Sequence, residues 1–348
     1  MFDVKSSKKR FDANKVEILN YGFPYIVRMS TNNGIKGYIN QDEQLLNQGN
    51  TIAFGQDTAT MFYQENPYFT GDKIKILECK YDNFNKINSM FLISVTRKSF
   101  STFSWGANSF SEKVINNQEI KLPTKDGKID FEFMDACIRE LEEERIRELS
   151  AYLTVSGLDN YELSSEEKEA LENLKSVQWK EYNLEKLFGK STRGKRLKSD
   201  DRVNGSFPFI TAGEANTGIS DFIGNEVEVF SKNTITIDMF GSAKYRNYNY
   251  GGDDHIAVVH TEKIKPEAAV FVTSAIHKSS YNGQFNYGHN FYAKDADALN
   301  IMLPTKDGKI DFEFMELLIS AVQKLVIKDV VLYADEKIQS TKKIVKES

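Results

Sequence analysis

The sequence predicts an α+β chain: two similar β-rich domains separated by two long helices packed as an antiparallel coiled coil, with a pseudo-twofold internal repeat. Three observations lead there. The stretch "LPTKDGKIDFEFM" occurs at Leu122–Met134 and again at Leu303–Met315, 181 residues apart in a chain of 348. Other matches keep the same order with a slowly drifting offset. Short β-like runs precede each copy, and an apolar stripe at three- and four-residue steps follows it.

The matches define the first half and its copy. "KKRF" at Lys8–Phe11 lines up with "GKRL" at Gly194–Leu197, and "FPYI" at Phe23–Ile26 with "FPFI" at Phe207–Ile210. "NNGI" at Asn32–Ile35 matches "NTGI" at Asn216–Ile219, and "NTI" recurs at Asn50–Ile52 and Asn233–Ile235. "FSWGAN" at Phe103–Asn108 matches "FNYGHN" at Phe285–Asn290. A period this long is that of a duplicated domain, not of a solenoid repeat.

Within the first half, "FPYIVRM", "NTIAFG", "KIKILEC" and "MFLISVT" read as strands, rich in Val, Ile, Thr and Phe and bounded by turn residues. The second half offers "FPFITA", "NTITIDMF", "HIAVVH" and "AAVFVTSAI". Leu122–Pro123 then ends a strand and Asp126-Gly127 marks a turn. Asp130 caps the helix that follows, with Glu132 near its positive end. Phe131, Met134, Ile138, Leu141, Leu149 and Leu153 form its stripe; Met315, Leu318, Val322, Leu325 and Val326 form that of the second copy. Ser164 and Ser165 cap a short helix between the halves. Each amphipathic helix needs a partner, and the other helix is the simplest one. The expected boundaries are 1–127, 128–176, 177–308 and 309–348. The first half lacks a counterpart of Val177–Lys186, including Trp179, so its opening segment is expected to be missing.

Composition narrows the function. Charged residues at 27% and hydrophobic residues at 40% suit a globular chain. No apolar run reaches the ~18 residues that span a bilayer, and the N-terminus lacks a signal-peptide core, so no membrane role and a cytoplasmic location are expected. Cys79 and Cys137 fit two reduced thiols. Residues 135–175 hold 12 acidic and 5 basic residues, a net of −7, so a chain of total charge −5 carries +2 elsewhere. Local sign matters more for binding than the total.

Catalytic constellations are weak. "NPYF" at Asn66–Phe69 resembles the tetrapeptide of amino-methyltransferases, but the third position is Tyr68, and the second half reads "NYNY" at Asn247–Tyr250. "DDHIAVVH" groups Asp253, Asp254, His255 and His260, a metal-like cluster. The matching place holds Asp72, Lys73 and Ile74, and residues five apart on a strand face opposite sides. Neither is read as a site, and a hydrolase built on Asp253, Asp254 and His255 is the minor alternative. Basic and polar loop residues remain: Lys8, Lys9, Arg10, Gln56, Thr58, Arg97 and Lys98 in the first half. The second has Arg193, Lys195, Arg196, Ser242, Lys244, Arg246, Asn247 and Lys278. Lys and Arg suit phosphates; Gln, Asn, Ser, Thr and Arg can read base edges. A second alternative is a tandem carbohydrate- or protein-binding module with Trp105 and Tyr287 as platforms.

"VQWKEYNLEKLFGKSTRGKRLKSDD" at Val177–Asp201, "FPFITAGEANTGISDFI" at Phe207–Ile223 and "GSAKYRNYNY" at Gly241–Tyr250 resemble motifs of the DNA-specificity (S) subunits of restriction–modification systems. "LPTKDGKIDFEFM" and "KLVIKDVVLYADEKI" most resemble the BcgI-like type IIB branch. The resemblance implies a non-catalytic subunit whose two target-recognition domains read a bipartite site in double-stranded DNA. It also implies a partner adenine methyltransferase, or a fused methyltransferase–endonuclease, docked on the helical spacers. S-adenosylmethionine and Mg are then expected on that partner, with no cofactor on this chain.

Overall fold

The computed structural model describes residues 1–100 and 112–347, with side chains to residue 340. The Phe103–Asn108 motif and Trp105 lie outside the described residues. The chain forms two compact units, Met1–Leu149 with Lys337–Ser348, and Ser150–Glu336.

In the first unit the strands are β1 (Phe2–Ser6), β2 (Phe23–Ile26), β3 (Ile35–Ile39), β4 (Thr51–Gly55), β5 (Met61–Gln64), β6 (Phe69–Thr70) and β7 (Ile74–Cys79). Two helices follow, α1 (Lys86–Ser99) and α2 (Glu112–Asn116), then a hairpin of β8 (Thr124–Lys125) and β9 (Lys128–Ile129), then α3 (Phe131–Val155). One sheet has the order β1-β7-β4-β5, all antiparallel; another has the order β3-β2-β6, with β2 and β6 parallel.

The second unit opens with α4 (Ser165–Asn173), β10 (Gln178–Asn183), α5 (Leu184–Phe188) and β11 (Thr192–Arg193). It continues with β12 (Asn204–Ile210), β13 (Ile219–Ile223), β14 (Thr234–Asp238), β15 (Ala243–Arg246), β16 (Gly251–Gly252) and β17 (Ile256–Val259). It ends with α6 (Pro266–Ser280), α7 (Ala293–Ala298), β18 (Asn300–Lys306), β19 (Lys309–Ile310) and α8 (Phe312–Glu347). Its sheets β11-β17-β14-β15 and β13-β12-β16 repeat the topology of the first unit, parallel pair included. A third sheet, β10-β18-β19, corresponds to the bare hairpin β8–β9.

The repeated motifs mark positions where the backbone is constrained. Asn50 and Asn233, which open "NTI", have φ of 53° and 62°, a left-handed conformation that asparagine tolerates. Each accepts a 2.9 Å hydrogen bond at Oδ1, from the hydroxyls of Tyr63 and Tyr245 respectively. The next residue does equivalent work: Thr51 Oγ1 lies 3.0 Å from the buried Tyr68 hydroxyl and Thr234 Oγ1 2.9 Å from that of Tyr250. Asn32, Asn33 and Gly34, like Asn216, Thr217 and Gly218, are all left-handed. Asp126-Gly127 and Asp307-Gly308 have φ of 52°/74° and 52°/75°, which suits a two-residue hairpin turn.

Two runs read as strands are helices. "MFLISVT" lies in α1 and "AAVFVTSAI" in α6. Their β-branched composition suggests strand, but the buried positions fall at helical steps: Ser89, Leu92 and Thr96; Ala268, Val272, Ile276 and Ser280. Helix starts reinforce this, with Asn85 forming a capping box and Pro266 in the first turn. Leu122–Pro123 also differs from expectation, because it precedes β8 without belonging to a strand. The helix stripes are only partly buried. Phe131, Met134, Ile138, Leu153, Met315 and Leu318 are buried, while Leu141, Val322, Leu325 and Val326 are exposed. Asp130 and Asp311 cap α3 and α8, each accepting at 2.9 Å from the amide three residues on. Helix α4 is held on α8 by Glu167, which accepts from Ser320 at 2.6 Å and Lys324 at 2.9 Å. Burial opposes the Glu167 charge, but those bonds and the Ser164 amide outweigh it and lower its pKa.

Candidate nucleic-acid interface

In the first unit, Arg10 and Thr58 are brought together. Both line a cavity of about 680 Å³ with Tyr25, Arg28 and Asp72. Arg10 reaches Asp72 at 3.4 Å. Lys9 lies 5.4 Å from the centre of the Phe11 ring, and Lys8 donates to the Gln44 carbonyl at 3.2 Å. Gln56 begins the turn between β4 and β5, and its amide donates to Lys73 O at 3.0 Å. Arg97 and Lys98 are exposed in the last turn of α1, apart from that cavity lining.

In the second unit, Arg193 sits on β11, 3.7 Å from Asp254, and Lys195 lies 3.4 Å from Glu228. Arg196 and Asn247 are exposed. Lys278, in the last turn of α6, borders an apolar groove of about 620 Å³ with Trp179, Phe271, Met302, Leu318 and Val322.

Three expected surface residues are placed differently. Arg246 is 1% exposed; its Nε donates to Thr236 at 2.9 Å and Nη1 to the Tyr248 hydroxyl at 3.0 Å. Its alignment partner in the sheets is the buried Gln64, so this position belongs to the framework. Ser242 is buried, its amide donating to Asp238 at 3.0 Å. Lys244 is half-buried, with Nζ donating to Ser242 at 2.8 Å and Glu214 at 3.1 Å and lying 3.5 Å from Asp238. Burial opposes the Glu214 charge, yet bonds to Ser242 and Lys244 prevail and lower its pKa. A charged side chain so well satisfied gains little by turning to a phosphate.

The basic clusters also pair differently from their sequence match. Phe11 donates its amide to Thr70 O, whereas Lys195 donates to Gly252 O at the equivalent place, an offset of 184. The "KKRF"–"GKRL" match requires 186. The two halves still share one device: Arg10 pairs with Asp72 as Arg193 pairs with Asp254. Sequence reasoning missed Arg28 and Arg202. Arg28 and Lys73 both pair with Asp57, and Arg202 lies 5.0 Å over the Phe209 ring. Arg28 lies inside the strand-like run "FPYIVRM", whose apolar composition is that of a core segment.

Asp253, Asp254 and His255 do cluster, with ligand atoms within 4.8 Å, the kind of group that can hold a cation. Asp253 accepts from the Leu197 amide at 3.3 Å and Asp254 lies 3.7 Å from Arg193, while the buried Asp254 Oδ1, 3.1 Å from His255 Nδ1, makes no hydrogen bond. His260 faces elsewhere, 2.8 Å from Thr192. "NPYF" is framework: Tyr68 is fully buried, and burial pushes its hydroxyl up to a pKa of about 12.

The model of the type I restriction modification DNA specificity domain matches residues 1–151 and again 176–331. The chain belongs to this family. It is therefore a restriction–modification specificity subunit, whose part is DNA recognition and not catalysis. It is similar to S.BcgI, the specificity subunit of a type II restriction enzyme from Heyndrickxia coagulans. The two are 26% identical over 335 residues, 94% of this chain and 93% of that one. Its fold is like that of the S subunit of a type I system from M. genitalium. That crystal structure gives a TM-score of 0.55 at 15% identity, covering 99% of this chain and 91% of the other. Among the described residues no helix is long and apolar enough to cross a membrane.

Proposed function

We propose that residues 1–127 and 177–308 are two target-recognition domains that read two different halves of a split site in double-stranded DNA. One observation carries this reading. The halves share framework residues down to the Asn50/Tyr63 and Asn233/Tyr245 bonds, while their turns after β4 and β14 differ. "GQDTA" leaves Gln56, Asp57 and Thr58 accessible, whereas "DMFGS" buries Asp238, Met239 and Ser242 and leaves Phe240 half-exposed, so the two turns would offer different groups to DNA. Lys8, Lys9, Arg10, Thr58, Arg193, Lys195, Arg196 and Asn247 would supply backbone contacts and part of the readout, with Gln56, Arg97, Lys98 and Lys278 flanking them.

Residues 128–176 and 309–348 would be helical spacers, paired as an antiparallel coiled coil about a pseudo-twofold axis. A partner adenine methyltransferase, alone or fused to an endonuclease as in the BcgI-like branch, would dock on them. The exposed Val322, Leu325 and Val326 of α8 suit such a contact. That partner would carry S-adenosylmethionine and Mg, in the cytoplasm. The test is selection of bound duplexes from a random pool by the intact chain at two salt concentrations. A split motif whose affinity falls steeply with salt is expected; salt-insensitive binding with no motif would overturn the reading.

A further inference from the structure

Just after β2, beside the turn that follows β4, the two units exchange a large residue for a small one. Backbone bonds fix which positions correspond. Val27 donates to Gly34 O as Thr211 donates to Gly218 O, each at 2.9 Å, so Arg28 corresponds to Ala212. Gly55 pairs with Ile74 as Asp238 pairs with Ile256, so Gly55 corresponds to Asp238. The Arg28 stem lies against Gly55, where an added Cβ would sit 3.4 Å from Arg28 Cγ and 2.5 and 2.7 Å from Thr60 Oγ1 and Thr58 Oγ1. The second unit has alanine at the place of the arginine and a buried carboxylate at the place of the glycine.

Charge and hydrogen bonding differ with it. In the first unit Arg28 and Lys73 share one carboxylate oxygen, Asp57 Oδ2, so two cations face one anion. In the second, Lys244 meets two carboxylates, Asp238 and Glu214. Among the described residues, Arg28 donates only to Asp57 and does so through Nη1. Its Nε and Nη2 keep N–H groups without a partner there. The buried Arg246, by contrast, uses Nε and Nη1 on Thr236 and Tyr248. The Arg28 side chain is 33% exposed and lines the 680 Å³ cavity with Arg10, Tyr25 and Thr58.

We propose, on the reading that the first unit recognises its own half-site, that Arg28 determines specificity there by reading one guanine through O6 and N7. Asp57 is the positioning residue. A guanidinium held by a carboxylate at one end and by a glycine backbone along its stem presents its other N–H groups in a fixed plane. The major-groove edge of guanine offers the matching pair of acceptors. A phosphate also accepts from such a fork, but a phosphate contact carries no sequence information and has no reason to differ between two half-sites. This position differs in size and in the sign of its excess charge. With Ala212 in the same place, the second unit cannot make the contact.

The test is selection of duplexes from a random pool by the intact chain, Arg28→Ala, Arg28→Lys and Asp57→Asn. The intact chain should require guanine at one position of one half-site. Arg28→Ala should lower that preference by about tenfold or more and leave every other position of both half-sites as it was. Arg28→Lys keeps the charge but loses the fork, so the guanine preference should fall while the salt dependence stays. Asp57→Asn should relax the same position and no other. A duplex with 7-deazaguanine there lacks the N7 acceptor; it should bind the intact chain more weakly than guanine does, and Arg28→Ala equally well. Three results would overturn the proposal and leave the two-half reading standing: a guanine preference kept in Arg28→Ala, a uniform weakening over all sequences as a lost phosphate contact gives, or loss of every preference in that half-site. An intact chain that selects no split motif would overturn both.

Discussion

The buried tyrosine–threonine bond that both units share should show asymmetric energetics. Thr234 donates its hydroxyl proton to Ser231 O at 2.8 Å, so the Tyr250 hydroxyl is the donor in its 2.9 Å bond to Thr234. Both residues are fully buried. Tyr250→Phe removes one neutral hydrogen bond and strands nothing, a cost of about 1 kcal/mol. Thr234→Val removes that bond and the one to Ser231 O, about 1 kcal/mol each, and also leaves the Tyr250 donor buried without an acceptor, which adds about 1–3 kcal/mol. In the Thr234→Val background, Tyr250→Phe should then cost nothing or restore stability. Urea unfolding in a Trp105→Phe background, followed by Trp179 fluorescence, reads the second unit. Additive costs, or a Thr234→Val variant no worse than Tyr250→Phe, would show that no stranded donor forms. The same order is expected for Thr51→Val and Tyr68→Phe in the first unit.

Arg246→Ala should destabilise the second unit by at least about 2 kcal/mol, because it removes two charge-assisted bonds from a buried site; denaturation midpoints check this. Lys195→Gln with Arg196→Gln should leave stability within about 0.5 kcal/mol, while the slope of log affinity against log salt falls by about one for each phosphate no longer neutralised. Glu167 has a folded pKa below its ordinary 4.5, so its contribution is complete above that pH and is lost as pH falls through the lowered value. Stability of the second unit should drop on acidification in that window, and Glu167→Gln should flatten that part of the curve.

Much of the architecture is legible in the sequence because the constrained backbone positions repeat. The left-handed Asn50 and Asn233, the Asp-Gly turns and the capping Asp130 and Asp311 are local signals, and each appears twice. Helices α1 and α6 are not legible by composition, since Val, Ile and Thr there pack a helix face against a sheet. The site is less legible still. Arg246 and Arg196 look alike in sequence, yet one lies inside a sheet framework and the other in solvent. Only the pairing of β14 with β15 separates them, placing Arg246 opposite Thr234. The basic clusters are misaligned by sequence for a related reason: loops between β1 and β2 absorb length differences that an ungapped match cannot see.

On the proposed reading, each unit reads its own half of the site. The direct measurement is the duplex motif selected by the intact chain, compared with that of a chain in which residues 207–259 are replaced by residues 23–77. The intact chain should select two different half-sites around a non-specific gap. The exchanged chain should select two identical half-sites in inverted orientation with the same gap. An unchanged motif in the exchanged chain, or one contiguous motif in the intact chain, would show that the two units do not read separate halves.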